Sequence, residues 1–142
     1  MRLYEKSGTN GDFAVKRTAV GLGLFTRKPF SRGQLVVEYT GKLLPSDEAY
    51  RRGGKYLFEV NSKWIVDGKG RENISRYINH SCRPNCVPRT RGMRILIYAR
   101  RSIKPGEELT YDYGKEYFDE LIRPKGCRCD HCAAGKPPRR TS

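Results

Sequence analysis

A mostly β fold is what this 142-residue sequence predicts, and three observations carry the expectation. Apolar and aromatic residues come in short alternating runs, such as Lys55-Tyr56-Leu57-Phe58-Glu59-Val60 and Met93-Arg94-Ile95-Leu96-Ile97-Tyr98-Ala99. Turn signals built from Gly, Pro and Asn punctuate those runs every eight to twelve residues or so, roughly the spacing of small all-β folds. No stretch sustains the apolar periodicity of a long helix. The length suits one domain with a modest core, and no internal repeat divides it.

From the N-terminus, Gly8 to Gly11 is turn-rich, and the first positions are expected to fray. Phe13-Ala14-Val15 is a short strand. Val20-Gly21-Leu22-Gly23-Leu24-Phe25 then sets a Gly-x-Gly between apolar neighbours. Such glycines let a backbone turn tightly and approach a ligand closely. By itself the pattern reads as a plain hairpin turn, and it lacks the third glycine and helix of a dinucleotide fingerprint. Pro29 to Gly33 turns the chain into Leu35-Val36-Val37-Glu38-Tyr39, a β-rich run ended by Thr40-Gly41. Pro45-Ser46-Asp47-Glu48 carries the N-cap and acidic first turn of a helix that Gly53-Gly54 stops early.

Lys55 to Val60 is a half-buried strand, and Asn61-Ser62-Lys63 turns it into the partner arm Trp64-Ile65-Val66-Asp67. Asn73 to Ile78 is a short helix or 3₁₀ turn that delivers Asn79 and His80. Beyond the Pro84-Asn85 turn, Met93 to Ala99 is the strongest strand. Lys104-Pro105-Gly106-Glu107 turns into Leu109-Thr110-Tyr111-Asp112-Tyr113-Gly114, and Tyr117 to Ile122 forms a last helical turn before Pro124. The tail from Lys136 is expected to be disordered.

Lysine and arginine number 29 against 15 acidic residues, a formal charge of +14. That balance attracts acidic partners, nucleic acid first, although no single arm or helix gathers the basic residues. A generally basic, soluble surface explains the same charge. No apolar run approaches the ~20 residues that cross a bilayer, and Met1-Arg2-Leu3-Tyr4-Glu5-Lys6 lacks a signal-peptide core. The expectation is a soluble, intracellular protein away from membranes, cytoplasmic or nuclear and chromatin-associated according to organism. The cysteines are Cys82, Cys86, Cys127, Cys129 and Cys132. An odd, clustered set argues against a secreted disulfide framework and for metal binding in a reducing compartment.

Arg76-Tyr77-Ile78-Asn79-His80-Ser81-Cys82-Arg83-Pro84-Asn85-Cys86 packs an amide, an imidazole, a hydroxyl and two thiols ahead of and around a turn. In isolation, Asn and His side chains in such a turn satisfy backbone groups. Cys127-Arg128-Cys129-Asp130-His131-Cys132 adds three thiols, a soft donor set suited to zinc rather than to an accidental surface cluster. A tetrahedral site needs a fourth ligand, which is His131 or one of the distant Cys82 and Cys86. A ligand from the Asn-His stretch clamps the tail onto it. The tail alone is too short to hold a core as an independent finger.

Four segments, read together, resemble the SET-domain protein lysine methyltransferases with a cysteine-rich post-SET tail. They are Gly21-Leu22-Gly23, Lys55-Tyr56-Leu57-Phe58, Ile74 to Asn85, and Gly106-Glu107-Glu108-Leu109-Thr110-Tyr111-Asp112-Tyr113. The likeness runs from about Val20 to Cys132; its specific part joins Asn-His-Ser-Cys to Glu-Glu-Leu-Thr-Tyr-Asp-Tyr. It implies a SET-domain fold of small β-sheets and short helices, with a C-terminal pseudoknot that departs from the usual rule against threading. That topology sets residues 76–82 beside residues 109–113. The implied organisation is an N-terminal lead-in over 1–19, the SET domain over 20–114, a post-SET zinc-binding segment over 115–135 and a basic tail over 136–142.

By the same resemblance, S-adenosylmethionine enters from one face and the target lysine through a narrow channel from the other. Gly21, Leu22 and Gly23 present backbone to the cofactor, and Asn79 and His80 hydrogen-bond it. Tyr113 matches the catalytic tyrosine and Tyr56 a tyrosine lining the lysine channel. Cys82, Cys127, Cys129 and Cys132 match the ligands of one structural zinc ion, leaving Cys86 a free thiol. Tyr111 matches the position where tyrosine limits methylation, so mainly monomethylation is expected.

These residue types suit the chemistry. Methyl transfer from a sulfonium to an amine is an in-line displacement, in which alignment supplies up to ~7–11 kcal/mol. The amine must be neutral although a free lysine has pKa ~10.4, and a dry aromatic channel near a sulfonium lowers it. Tyrosine hydroxyls orient its lone pair without adding negative charge, and backbone carbonyls polarise the methyl. No carboxylate base is required, so Glu107 and Glu108 read as structural.

Two departures bear on the resemblance: only Asp130 and His131 separate the last two cysteines, and there is no cysteine-rich segment before Val20. The expected partner is a basic protein, histone-like or ribosomal, with an exposed lysine, seated on nucleic acid that the basic surface can grip. The rivals are a catalytically idle SET-like module that binds protein or nucleic acid, and a small zinc-stabilised nucleic-acid protein. The second leaves Asn79, His80 and Tyr111-Asp112-Tyr113 without a role.

Overall fold

The computed structural model describes residues 11–114 and Cys127. The expected frayed lead-in up to Asn10, the helical turn at Tyr117 to Ile122, Cys129, His131, Cys132 and the tail from Lys136 lie outside the described residues. In chain order the described elements are β1 (Phe13–Thr18), β2 (Gly21–Thr26), β3 (Leu35–Tyr39), β4 (Lys42–Pro45), α1 (Ser46–Arg52), β5 (Leu57–Glu59) and β6 (Trp64–Asp67). A 3₁₀ helix (Ile74–Tyr77), β7 (Asn79–His80), β8 (Cys86–Arg91), β9 (Arg94–Ala99) and β10 (Thr110–Tyr111) complete them. The expected mostly β architecture is present.

The strands form four small sheets: β1-β2, β3-β9-β8, β4-β6-β5, and the parallel pair β10-β7. β9 is central in its sheet, and Ile95, Leu96, Ile97 and Ala99 are all buried. A continuous apolar run bounded by turns is what a strand covered on both faces requires. Ile95 and Ile97 join Leu24, Ile78, Ile103 and Leu109 in the main core. Each such side chain contributes about 1.5–3 kcal/mol on burial. A second, smaller cluster of Leu44, Ala49 and Ile65 seats α1 on the β4-β6-β5 sheet.

Several local expectations are corrected. The Gly-x-Gly is not a turn: both glycines lie within β2, opposite Thr18 and Lys16. Ser46 does not cap α1, because its hydroxyl donates to Ser62 O (3.0 Å) and Pro45 holds the cap position with no side-chain bond. The Lys55–Val60 strand contracts to Leu57–Glu59, as Val60 and Asn61 turn back to Trp64 O and Asn61 Oδ1 accepts from Lys63 and Trp64 N–H. β4 and β8 were not anticipated. Among the described strands β8 pairs with β9 alone, so Pro88, which lacks an N–H to donate, is tolerated there. No helix among the described residues is long and apolar enough to cross a membrane.

Candidate active site and metal centre

The parallel pairing of β7 with β10 brings together two segments far apart in sequence. Asn79 lies opposite Thr110 and His80 opposite Tyr111. This is the juxtaposition of residues 76–82 and 109–113 that the resemblance implies. A two-residue pair is weak alone, and buried side chains reinforce it. Asn85, 3% exposed, donates from Nδ2 to Glu108 O (2.8 Å) and accepts Thr110 N–H on Oδ1 (2.9 Å). Ser81 N–H donates to Tyr111 O (3.1 Å), and Ser81 Oγ accepts Arg83 N–H (3.0 Å). Sequence reasoning took Asn85 for a turn residue; its amide in fact clamps the two segments together. Nothing short-range signals that, because both partners lie over twenty positions away.

Tyr113 is held at three points. Its N–H donates to His80 Nδ1 (3.1 Å), its hydroxyl donates to Ile78 O (2.5 Å), and its ring meets His80 edge-on at 5.5 Å between centroids. The Tyr111 ring lies 5.2 Å from Tyr113 and 6.1 Å from Phe58, which in turn meets Tyr39 at 5.1 Å. Tyr111 is buried in the main core. Tyr56 is tied to this aromatic group through its backbone, since Tyr56 O accepts from Tyr39 Oη (2.8 Å). Its ring faces the Arg76 guanidinium at 4.7 Å, which also lies over Tyr77 at 5.1 Å. Arg76 Nη1 donates to Lys69 O, so this arginine braces the loop before the 3₁₀ helix. The sequence reading gave it no role.

The glycine segment meets β7 through Asn79. Its Nδ2 donates to Leu22 O (3.0 Å) and to Glu108 Oε2 (2.9 Å). A Cβ at position 23 would lie 2.5 Å from Glu108 Oε2 and 2.9 Å from Thr18 Cγ2. The second glycine therefore makes room for a carboxylate. Gly21 has φ +116° with open space around it, and Leu22 is 46% exposed. The Asn79 amide, the Glu108 carboxylate and the exposed Leu22 side chain thus meet in a neutral-to-acidic patch. That chemistry fits a ligand carrying sulfonium and ammonium charges.

Glu107 points elsewhere. Burial pushes its carboxyl up, but the Arg101 hydrogen bond, the Lys104 N–H and the Arg101 charge outweigh this and hold it below the usual carboxylate range. It is a structural residue of the Pro-Gly turn.

Cys82 Sγ lies 3.8 Å from Cys127 Sγ and 3.5 Å from His80 Nε2. The three donor atoms fall within 4.8 Å of one another. A disulfide requires sulfurs at ~2.05 Å, whereas two thiolates on a tetrahedral zinc, with Zn–S ~2.3 Å, stand ~3.8 Å apart. The sulfur pair fits a zinc edge. Cys86 is buried in the main core, where desolvation pushes its thiol up to about 12. It makes a poor thiolate ligand, and Cys82 is the cysteine of this stretch that meets Cys127.

Residues 21–114 match the SET domain. A Schizosaccharomyces pombe protein named histone-lysine N-methyltransferase, H3 lysine-4 specific, is 43% identical over 121 residues, 76% of this chain and 13% of its own length. Drosophila virilis histone-lysine N-methyltransferase trithorax is 40% identical over 124 residues, 79% of this chain and 3% of its own. Human histone-lysine N-methyltransferase 2D is 34% identical over 136 residues, 87% of this chain and 2% of its own. The chain thus spans a small fraction of the length of these relatives. With the match covering the glycine strand, the Asn-His segment and the Tyr111-Asp112-Tyr113 segment alike, the chain belongs to the SET-domain family.

Proposed function

We propose that this chain is an S-adenosylmethionine-dependent protein lysine N-methyltransferase whose substrate is a histone-like basic tail. The β7–β10 pairing is the observation that carries the reading, because it joins Asn79 and His80 to Tyr111 and Tyr113 in one rigid unit. The relatives named histone-lysine N-methyltransferases support the substrate class. They also favour a chromatin setting, where the +14 charge grips nucleic acid around the tail.

In this reading residues 20–114 form the catalytic domain and 115–135 the zinc-binding segment. S-adenosylmethionine, when bound, would supply an electrophilic methyl group to the neutral lysine amine, with the sulfonium leaving as a thioether and the excess amine proton passing to water. Gly21, Leu22 and Gly23 offer backbone to the cofactor, with Asn79 and His80 beside them. Tyr113 orients the amine. The Tyr113 hydroxyl donates its hydrogen bond to Ile78 O, which leaves the phenol lone pairs to accept an amine N–H and aim the nitrogen lone pair. Tyr56 lines the approach of the lysine. Tyr111 holds a water where a second methyl group would sit and keeps the product mainly monomethylated. Cys82, Cys127, Cys129 and Cys132 hold one zinc ion, which pins the tail to the Asn-His segment.

The test is transfer of labelled methyl to free histones and to the same histones on nucleic acid. The expected result is labelled lysine, more on the nucleoprotein at low salt, and a loss of about 10²-fold or more in Tyr113→Phe. Tight cofactor binding with no transfer to any substrate would instead identify an idle binding module.

A further inference from the structure

His80 sits between the candidate metal centre and the candidate catalytic tyrosine, and its two ring nitrogens face different partners. Nδ1 accepts the Tyr113 backbone N–H at 3.1 Å. An amide nitrogen only donates, so this Nδ1 carries no proton, and in a neutral imidazole the proton then resides on Nε2. Nε2 lies 3.5 Å from Cys82 Sγ. Asp112 Oδ1 is 3.9 Å from Nδ1 and already accepts Gly114 N–H at 2.9 Å, so it does not displace the Tyr113 amide. The imidazole is 6% exposed and fixed edge-on against the Tyr113 ring.

We infer that His80 donates a hydrogen bond from Nε2–H to the Cys82 thiolate, making the imidazole a strut between the metal centre and the Tyr113 backbone. The inference rests on the zinc reading above and extends it. A thiolate buried beside a metal carries charge that a positioned N–H stabilises, and such outer contacts typically change metal affinity 10–100-fold. His80 is then a positioning residue: it fixes Cys82 from one nitrogen and Tyr113 from the other. By linkage, whatever tightens the metal centre also tightens the Tyr113 segment. The strut explains why an imidazole stands between two elements whose own pairing is only two residues long.

Cobalt(II) substituted into the full chain reads this directly, since an N–H···S bond lowers the sulfur lone pair and raises the energy of thiolate-to-cobalt charge transfer. His80→Asn keeps an acceptor near the Nδ1 position and removes the donor to sulfur; His80→Gln restores a donor near the Nε2 position. The expected result is a charge-transfer band at lower energy and metal affinity ~10–100-fold weaker in His80→Asn, by competition with a chelator, with both recovered in His80→Gln. Nitrogen-15 spectra of the unsubstituted, zinc-loaded chain, which has 2 histidines, provide a measure independent of variant folding. They should show His80 protonated at Nε2.

A protein with thiolate-to-cobalt bands that are the same in wild type and His80→Asn overturns the strut and leaves the zinc reading standing. Absence of such bands in the wild type overturns both. A metal-bound Nε2 makes His80 a ligand and overturns the strut.

Discussion

Substituting Gly23 with alanine tests the packing that joins the glycine strand to the Asn-His segment. The added Cβ falls 2.5 Å from Glu108 Oε2 and 2.9 Å from Thr18 Cγ2, so the carboxylate must withdraw. Its withdrawal breaks the 2.9 Å hydrogen bond from Asn79 Nδ2. A bond to a charged acceptor contributes about 1.5–3 kcal/mol, and the part-buried setting of this one puts it near the lower end. Replacing a strand glycine by alanine recovers about 0.5–1 kcal/mol of backbone entropy. The net expectation is a loss of about 1 kcal/mol, or a Tm about 4 °C lower for a domain near this size. The assay is a double-mutant cycle with Glu108→Ala, read by denaturant unfolding. In the Glu108→Ala background the obstacle is gone, and Gly23→Ala should become neutral or slightly stabilising once Thr18 shifts. If Gly23→Ala costs the same in both backgrounds, the argument that Glu108 dictates glycine at this position is wrong.

Gly41→Ala should be far less tolerated, because its Cβ would overlap Asp67 O and lie 2.7 Å from Asp67 C, backbone atoms that cannot swing aside; a loss of about 3 kcal/mol in unfolding free energy is expected from urea denaturation. Cys86 should resist alkylation in the native protein. Burial pushes its thiol up to about 12, against an ordinary 9.0. The folded state therefore keeps a proton that the unfolded chain loses above pH 9. Stability contributed by this residue is full below that point and falls as pH rises through the window, by up to ~1.4 kcal/mol per unit. Denaturation of Cys86→Ala at about pH 8 and about pH 10 should show a shallower decline; an unchanged slope refutes the assignment. Tyr111→Phe should shift the product at long reaction times toward di- and trimethyl-lysine by mass spectrometry, and dominant trimethylation by the wild type would sink the monomethyl reading. Cys82→Ser, or stripping zinc from the full chain, should weaken S-adenosylmethionine binding in calorimetry, and unchanged affinity would uncouple metal from cofactor.

Legibility varied with the range of the interaction. β9 was readable because a two-sided buried strand needs an unbroken apolar run, and Ile95-Leu96-Ile97 supplies one. β8 was not, because an edge strand exposed on one flank carries Pro88 and two arginines, Arg89 and Arg91, that resemble loop chemistry. The candidate site was named residue by residue from its motifs, and the fold brings Asn79, His80, Tyr111 and Tyr113 together. Its supports were invisible. Asn85 looked like a turn residue and Glu108 like half of an acidic pair, yet each bonds a partner more than twenty positions away.

The amino-acid order alone determined the β class, the family resemblance and the candidate cysteines and tyrosines of the site, because side-chain type and short spacing decide those. Tertiary structure decided the rest. It set the Cys82 thiol 3.8 Å from that of Cys127 and buried Cys86 in the main core. It also assigned the imidazole of His80 two partners and gave Gly23 a carboxylate for a neighbour. Those outcomes depend on chain segments meeting across the fold, and the contacts that select them have no signature in local sequence.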